Sequence, residues 1–258
     1  MAHNEEEARL QIVEIGRLVW QKGWVAANDG NISIRLGEDR MLCTPTCVSK
    51  GRMQPEDLIV CDMQGNKIEG DRGCTSEILL HTTIYGLRPE VGAVVHAHPP
   101  VATGFAAAGR PLNLALLPEV IVDLGSVPLA EYGLPGTSEV ITPMLPLIPN
   151  YHAILMRNHG AVCYGGDIFK AYYRMETVEH FAMIALVAEL LGGGRALPRL
   201  EVQKLLDRRF RDSLACSKTG DGGPPMTAED GDQHFDITRD DLTALIAHVV
   251  DSLAGEKV

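Results

Sequence analysis

No apolar run in the 258-residue chain approaches the ~20 residues that a helix needs to cross a bilayer. The opening Met1-Ala2-His3-Asn4-Glu5-Glu6-Glu7 is acidic where a secretory leader is basic and then apolar, so neither a membrane span nor a secretory signal is expected. Positive charge is scarce: 23 Lys and Arg face 34 Asp and Glu. The resulting net charge of -11 argues against a nucleic-acid partner, whose phosphates attract basic surfaces. Six cysteines, at 43, 47, 61, 74, 163 and 216, include no Cys-x-x-Cys ligand pair. In a chain this long they read as reduced thiols of a cytoplasmic protein and not as a disulfide frame. What remains is 45% hydrophobic and only 22% charged, ample material for one core.

Against that background the run Ala93-Val94-Val95-His96-Ala97-His98-Pro99-Pro100 stands out. Side chains of an extended strand repeat with period two, so His96 and His98 point the same way. Convergent imidazoles suit a borderline divalent ion such as Zn2+, with Mn2+ or Co2+ as alternatives. A catalytic zinc usually takes three protein ligands and keeps a position open. The third ligand is expected at His159, which closes the apolar run Ala153 to Met156 and precedes Gly160. The remaining histidines have solvated or half-buried roles as their default: His3 and His234 lie in polar surroundings, His81, His180 and His248 read as helical, and His152 follows a loop.

Three hydroxyl-rich or amide-rich turns accompany the histidines. Asn28-Asp29-Gly30-Asn31 feeds an alternating strand, and Thr44-Pro45-Thr46-Cys47 forms a second turn. Cys74-Thr75-Ser76-Glu77 opens a helix whose apolar positions Leu80, Ile84 and Leu87 recur at helical spacing. Thr75 or Ser76 can cap that helix and Glu77 suits its first turn. Together the turns offer amide, hydroxyl and backbone N–H donors to a phosphate beside a metal.

The pattern predicts one mixed α/β domain. Helices are expected over about 5–22, 76–87, 137–148 and 168–191, with a short one from Pro100. Strands are expected near 32–36, 40–44, 58–61, 92–97, 119–123 and 153–157. Residues 1–214 form the expected catalytic domain. Residues 215–236 are rich in Gly, Asp, Pro, Thr and Ser and predict a flexible linker. Within 237–258, Leu242, Leu245, Ile246, Val249 and Leu253 fall on one helical face behind a Thr238/Asp241 capping pattern. This tethered amphipathic helix resembles the encapsulation peptides that bring enzymes into bacterial microcompartments, which adds a shell or cargo partner and a microcompartment lumen to the expectations. Docking on its own protein is the other reading.

Gly30-Asn31-Ile32-Ser33, Thr44-Pro45-Thr46, Thr75-Ser76-Glu77, His96-Ala97-His98, Tyr132 through Gly136-Thr137 and Asn158-His159-Gly160 occur in an order and spacing that resemble the class II aldolase/adducin family. The likeness spans roughly residues 8 to 210 and is nearest in pattern to its L-fuculose-1-phosphate aldolase branch. It implies a three-layer αβα sandwich with a central, mainly antiparallel sheet, assembled as a homotetramer. It further implies zinc held by His96, His98 and His159, and Glu77 as the catalytic acid/base. A substrate phosphate would be held by Gly30, Asn31, Thr46, Cys47, Thr75 and Ser76. The implied reaction is cleavage of a phosphorylated ketose into dihydroxyacetone phosphate and an aldehyde. Phosphopentulose 4-epimerase, decarboxylase, dehydratase and a non-enzymatic adducin-like module are the alternatives. Cys47 stands where the fuculose-phosphate enzymes have glycine, and Glu119 lies near the place of an active-site tyrosine. A C-terminal tyrosine of that branch has no counterpart after Tyr173.

Overall fold

The computed structural model describes residues 4–215. The tail expected to hold the linker and the amphipathic helix lies outside them. Helix α1 (Glu5–Gln21) starts where the Asn4 side chain accepts the Glu6 N–H, and three acidic residues occupy its positively polarised first turn. Then come β1 (Asn31–Arg35), β2 (Arg40–Cys43), β3 (Ile59–Asp62), β4 (Lys67–Glu69), α2 (Ile78–Leu87) and β5 (Ala93–Ala97). Helices α3 (Pro100–Ala107) and α4 (Pro118–Asp123) precede β6 (Leu129–Ala130), β7 (Ala153–Met156) and β8 (Gly160–Gly165). Helices α5 (Ile168–Leu190) and α6 (Arg199–Ala215) complete the order among the described residues.

The eight strands form one sheet in the order β4-β3-β2-β1-β5-β8-β7-β6. Every pairing is antiparallel except β6 with β7. Strand alternation sorts residues onto two apolar layers. Ile32, Ile34, Val95 and Leu155 pack with Ile12 and Ile15 of α1, Phe105 of α3 and Met175 and Phe181 of α5. Met41, Cys43, Ile59, Val94 and Val162 pack on the other face with Leu80, Ile84 and Tyr85 of α2. The expected αβα sandwich is therefore present. Each fully buried Leu, Ile or Phe in these layers contributes roughly 1.5–3 kcal/mol of transfer free energy.

Two expected elements differ. The strand expected at 119–123 is α4, because Pro118 presets the first helical turn and Glu119 favours it by charge, although Val120, Ile121 and Val122 suit a strand. The helix expected over 137–148 is a series of turns with one 3-10 stretch, Thr142–Met144. Its apolar residues Val140, Ile141, Met144 and Ile148 do face the core at helical spacing. Pro143 and Pro146 lack the N–H groups that a continuous helix would use, which explains the break.

Candidate metal centre and catalytic site

β5 is an interior strand, paired through Asn31↔His96 to β1 and through His96↔Val162 to β8. Its C-terminal end therefore carries His96 beside Asn31, and the turn between β7 and β8 delivers His159. The three imidazole centroids stand 5.0, 4.8 and 5.1 Å apart, a nearly equilateral triangle. His96 Nε2 and His98 Nε2 are 3.2 Å apart. Two nitrogens each ~2.05 Å from a tetrahedral zinc stand about 3.3 Å apart, so this spacing fits a shared ion. His96 Nδ1–H donates to the Ala161 carbonyl at 2.9 Å, which leaves Nε2 with its lone pair toward the centre. Gly160 permits the approach: a Cβ there would meet His98 Cδ2 at 2.5 Å and the Ala97 carbonyl at 2.6 Å.

Glu77, immediately before α2, completes the cluster. Its Oε2 lies 3.1 Å from His96 Nε2 and its Oε1 lies 3.4 Å from His159 Nε2. Burial opposes ionisation of Glu77, but His96 beside it, with His159 and Asn31, outweighs burial and holds the carboxyl far below its ordinary range. Burial likewise disfavours a charged His96, yet Glu77 raises its pKa. His98 and His159 are both pushed down to about 4, first by burial and then by His96. The lowered His98 and His159 offer neutral imidazoles beside an ionised carboxylate, as a divalent cation requires, while His96 holds its proton more firmly next to Glu77 and would release it to bind the cation. Glu77 Oε1 and His159 Nδ1 are buried without a hydrogen-bond partner among the described residues. The donor set and the unpartnered Glu77 oxygen together fit a divalent cation.

A chain of buried polar groups backs the carboxylate. Asn31 Nδ2 donates to Glu77 Oε2 at 2.8 Å. The Asn31 oxygen must then accept, which makes His81 Nε2, 2.6 Å away, the donor. His81 Nδ1 in turn accepts from Ser33 Oγ at 2.7 Å, and Ser33 Oγ lies 2.8 Å from the Tyr85 hydroxyl. Burial, and then His96, push His81 down to about 3, so it is neutral. From sequence alone His81 has only the default role of a helical histidine. Its i+4 spacing from Glu77 along α2 was the available signal.

The hydroxyl-bearing turns also meet. Thr46 N–H donates to the Gly73 carbonyl at 3.0 Å and Pro45 bridges Cys74, so Thr46 is joined to the turn carrying Thr75 and Ser76. Thr75 Oγ1 accepts the Glu77 N–H at 3.3 Å, whereas Thr46, Cys47 and Ser76 are exposed. Gly30 has φ +71°, and a Cβ there would meet Val25 Cγ1 at 2.7 Å and the His96 carbonyl at 2.8 Å. Cys47 has φ +59°, a left-handed conformation that glycine adopts without steric cost. Glu119 is exposed on α4 and lines a cleft of about 540 Å³ with Lys22, Trp24, Glu176 and His180, a lining that includes none of the three histidines.

A second cluster was not legible from cysteine spacing. Cys43, Cys61 and Cys74 bring their sulfurs within 4.8 Å of one another, as the three histidines do with their ring nitrogens. Among the described residues no helix is long and apolar enough to cross a membrane.

Residues 10–186 match the class II aldolase and adducin N-terminal domain. The chain belongs to this family. An L-fuculose phosphate aldolase of Methanococcus maripaludis is 33% identical over 174 residues, 67% of this chain and 93% of that protein. A 3-oxo-tetronate 4-phosphate decarboxylase of Haemophilus influenzae is 31% identical over 177 residues, 67% of this chain and 84% of that protein. The solved structure of an L-fuculose 1-phosphate aldolase aligns with a TM-score of 0.73 at 27% identity, covering 80% of this chain and 96% of that one. The relatives span aldolase, decarboxylase and dehydratase chemistries.

Proposed function

We propose that this family member is a divalent-metal-dependent lyase that cleaves a carbon–carbon bond of a phosphorylated ketose, releasing dihydroxyacetone phosphate and an aldehyde. The observation that carries the reading is the Glu77 carboxylate within 3.1 and 3.4 Å of two of three convergent histidines, with one oxygen fixed by Asn31. His96, His98 and His159 would hold the cation, zinc being the expected one. When bound, it supplies Lewis-acid stabilisation of the negative charge that develops on oxygen as the bond breaks, worth several kcal/mol.

Glu77 moves the proton at the reacting carbon. Oε2 is committed to Asn31, so Oε1 is the oxygen available to carry it. In the cleavage direction Oε1 delivers the proton to C3 of the departing ketone, and in condensation it removes the same proton. Thr46, Ser76 and the Cys47 N–H, with Thr75 and Gly30 shaping the two turns, form the cradle that binds the substrate phosphate. Asn31, whose oxygen and one N–H are already engaged by His81 and Glu77, has one N–H left for such a phosphate.

Decarboxylation of a phosphorylated 3-oxo acid is the second reading, supported by the comparable similarity to the decarboxylase. It asks the same of the site: charge stabilised on an oxygen, then carbon protonated by Glu77. Metal-loaded and chelator-stripped protein should be given fuculose-1-phosphate, rhamnulose-1-phosphate and a 3-oxo-tetronate phosphate, and the products identified. Aldehyde with dihydroxyacetone phosphate, only from loaded protein, is expected. Carbon dioxide selects the second reading, an epimeric phosphate selects epimerase, and full turnover by stripped protein overturns both metal readings. A homotetramer is part of the proposal and is measured by light scattering. A microcompartment role for the tail is measured by co-assembly with shell proteins before and after removal of residues 217–258.

A further inference from the structure

Cys43 and Cys61 lie on the same face of adjacent antiparallel strands, where Cys43 opposes Ile59 and Met41 opposes Cys61. They are therefore diagonal neighbours, with sulfurs 3.6 Å apart. The third sulfur arrives from the turn after β4, which the Pro45–Cys74 bridge holds against the end of β2. Cys61 Sγ and Cys74 Sγ are 2.6 Å apart. Cys43 and Cys61 are fully buried, whereas Cys74 is partly accessible.

Two sulfurs sharing a zinc ion at ~2.3 Å each stand about 3.8 Å apart. The Cys61–Cys74 contact is well inside that distance, so the two sulfurs stand close enough to react with each other. Chemistry also distinguishes the three. Cys74 is pushed down to about 6, chiefly by a hydrogen bond from Cys43, then against burial by Cys61, a backbone N–H and Lys67. Cys43 is driven the other way, mainly by its sulfur neighbours Cys61 and Cys74. The lowered pKa of the accessible Cys74 favours its thiolate, with the Cys61 thiol in contact, the arrangement of a peroxide-reactive cysteine and its resolving partner.

We infer that Cys74 and Cys61 form a reversible thiol–disulfide pair, oxidised by hydroperoxides, at the root of the turn that carries Thr75, Ser76 and Glu77. The Cys74 thiolate attacks one peroxide oxygen, forming an S–O bond as the O–O bond breaks, and the departing hydroxide takes a proton from solvent. Cys61 sulfur then attacks the Cys74 sulfenic acid, and its thiol proton leaves with the hydroxyl as water. Two thiols and one hydrogen peroxide thus give one disulfide and two waters, and a dithiol reverses the change. The product closes a covalent ring around β4 and tethers the turn before Glu77 to β3.

The test uses reduced full-length protein treated with one equivalent of hydrogen peroxide, then denatured, alkylated, digested and read by mass spectrometry. A Cys61–Cys74 linked peptide that dithiothreitol removes is expected, with Cys47 still alkylated. Cys61→Ser is expected to accumulate a sulfenic acid on Cys74 that dimedone traps, and Cys74→Ser to slow thiol loss at least tenfold. First oxidation at Cys47 or Cys163, unchanged kinetics in Cys74→Ser, or stoichiometric zinc on Cys61 and Cys74 that survives His159→Ala would each overturn the inference. These readouts count thiols and metal, so they stand or fall apart from the reaction catalysed.

Discussion

Asn31 Nδ2 donates to Glu77 Oε2 at 2.8 Å, which joins the first residue of β1 to the carboxylate that touches two of the three histidines. Glu77 is thereby oriented by a neutral amide that is itself held by His81. Asn31→Ala should lower kcat on phosphorylated and free sugars alike, because truncation leaves a buried acceptor that costs roughly 1–3 kcal/mol. Steady-state kinetics on matched substrate pairs makes the comparison. A rise in KM confined to the phosphorylated sugar would instead assign Asn31 to the phosphate.

Glu77→Gln keeps the shape and the place of the side chain but removes its proton-carrying capacity. Metal content should be retained and turnover should fall ~10²–10⁴-fold, the usual contribution of a positioned base. Metal analysis alongside single-turnover rates checks both halves. A variant within twofold of the parent removes Glu77 from the proton transfer.

Replacing Gly160 by Ala puts a methyl group within 2.5 Å of His98 Cδ2 and 2.6 Å of the Ala97 carbonyl. His98 must move, and the expected loss of metal affinity is ~10–100-fold, as for other disturbances just outside a metal's ligands. Competition with a chromophoric chelator measures it, and His96→Ala, which deletes a proposed ligand outright, sets the upper limit. Unchanged affinity in Gly160→Ala would mean that the histidines do not bind at this spacing.

Lys50 gives a pH signature. It is 2% exposed, donates to the Asn28 and Val48 carbonyls at 2.9 and 3.0 Å, and is pushed down to about 8 by burial. Between pH ~8 and ~10.4 the unfolded chain holds this proton more firmly than the folded one, so folding stability gains as pH rises through that window. Below pH ~8 both states are protonated and the burial cost is fully present. Relative to Lys50→Gln, the parent should gain on the order of 3 kcal/mol across the window. Urea unfolding of both proteins at the two ends decides it, and parallel profiles would refute the assignment.

The sequence displayed some of this and concealed the rest for identifiable reasons. His96 and His98 were legible because period-two alternation at a strand end forces them to one side. His159 was legible because it repeats the same context after β7. The elements that failed, 119–123 and 137–148, are those where apolar periodicity and proline chemistry disagree: β-branched residues behind Pro118, and helical spacing across Pro143 and Pro146. Strand β8 carries no warning of its own, because an entirely buried strand shows no alternation. The Cys43, Cys61 and Cys74 cluster depends on strand register and on a bridge between two turns, and neither is written in the spacing of the cysteines.

The position of β5 between β1 and β8 has a kinetic consequence. Its two pairing partners come from far earlier and far later in the chain, and the segment from β1 to β5 contains three other strands and α2. During refolding, that long excursion must close before Asn31, Glu77 and His96 meet, and β8 must dock before His159 arrives. Non-local pairing of this kind places folding in the slow, millisecond-to-second regime. High-affinity ion capture should therefore appear with the final assembly of the sheet and lag the formation of the helices.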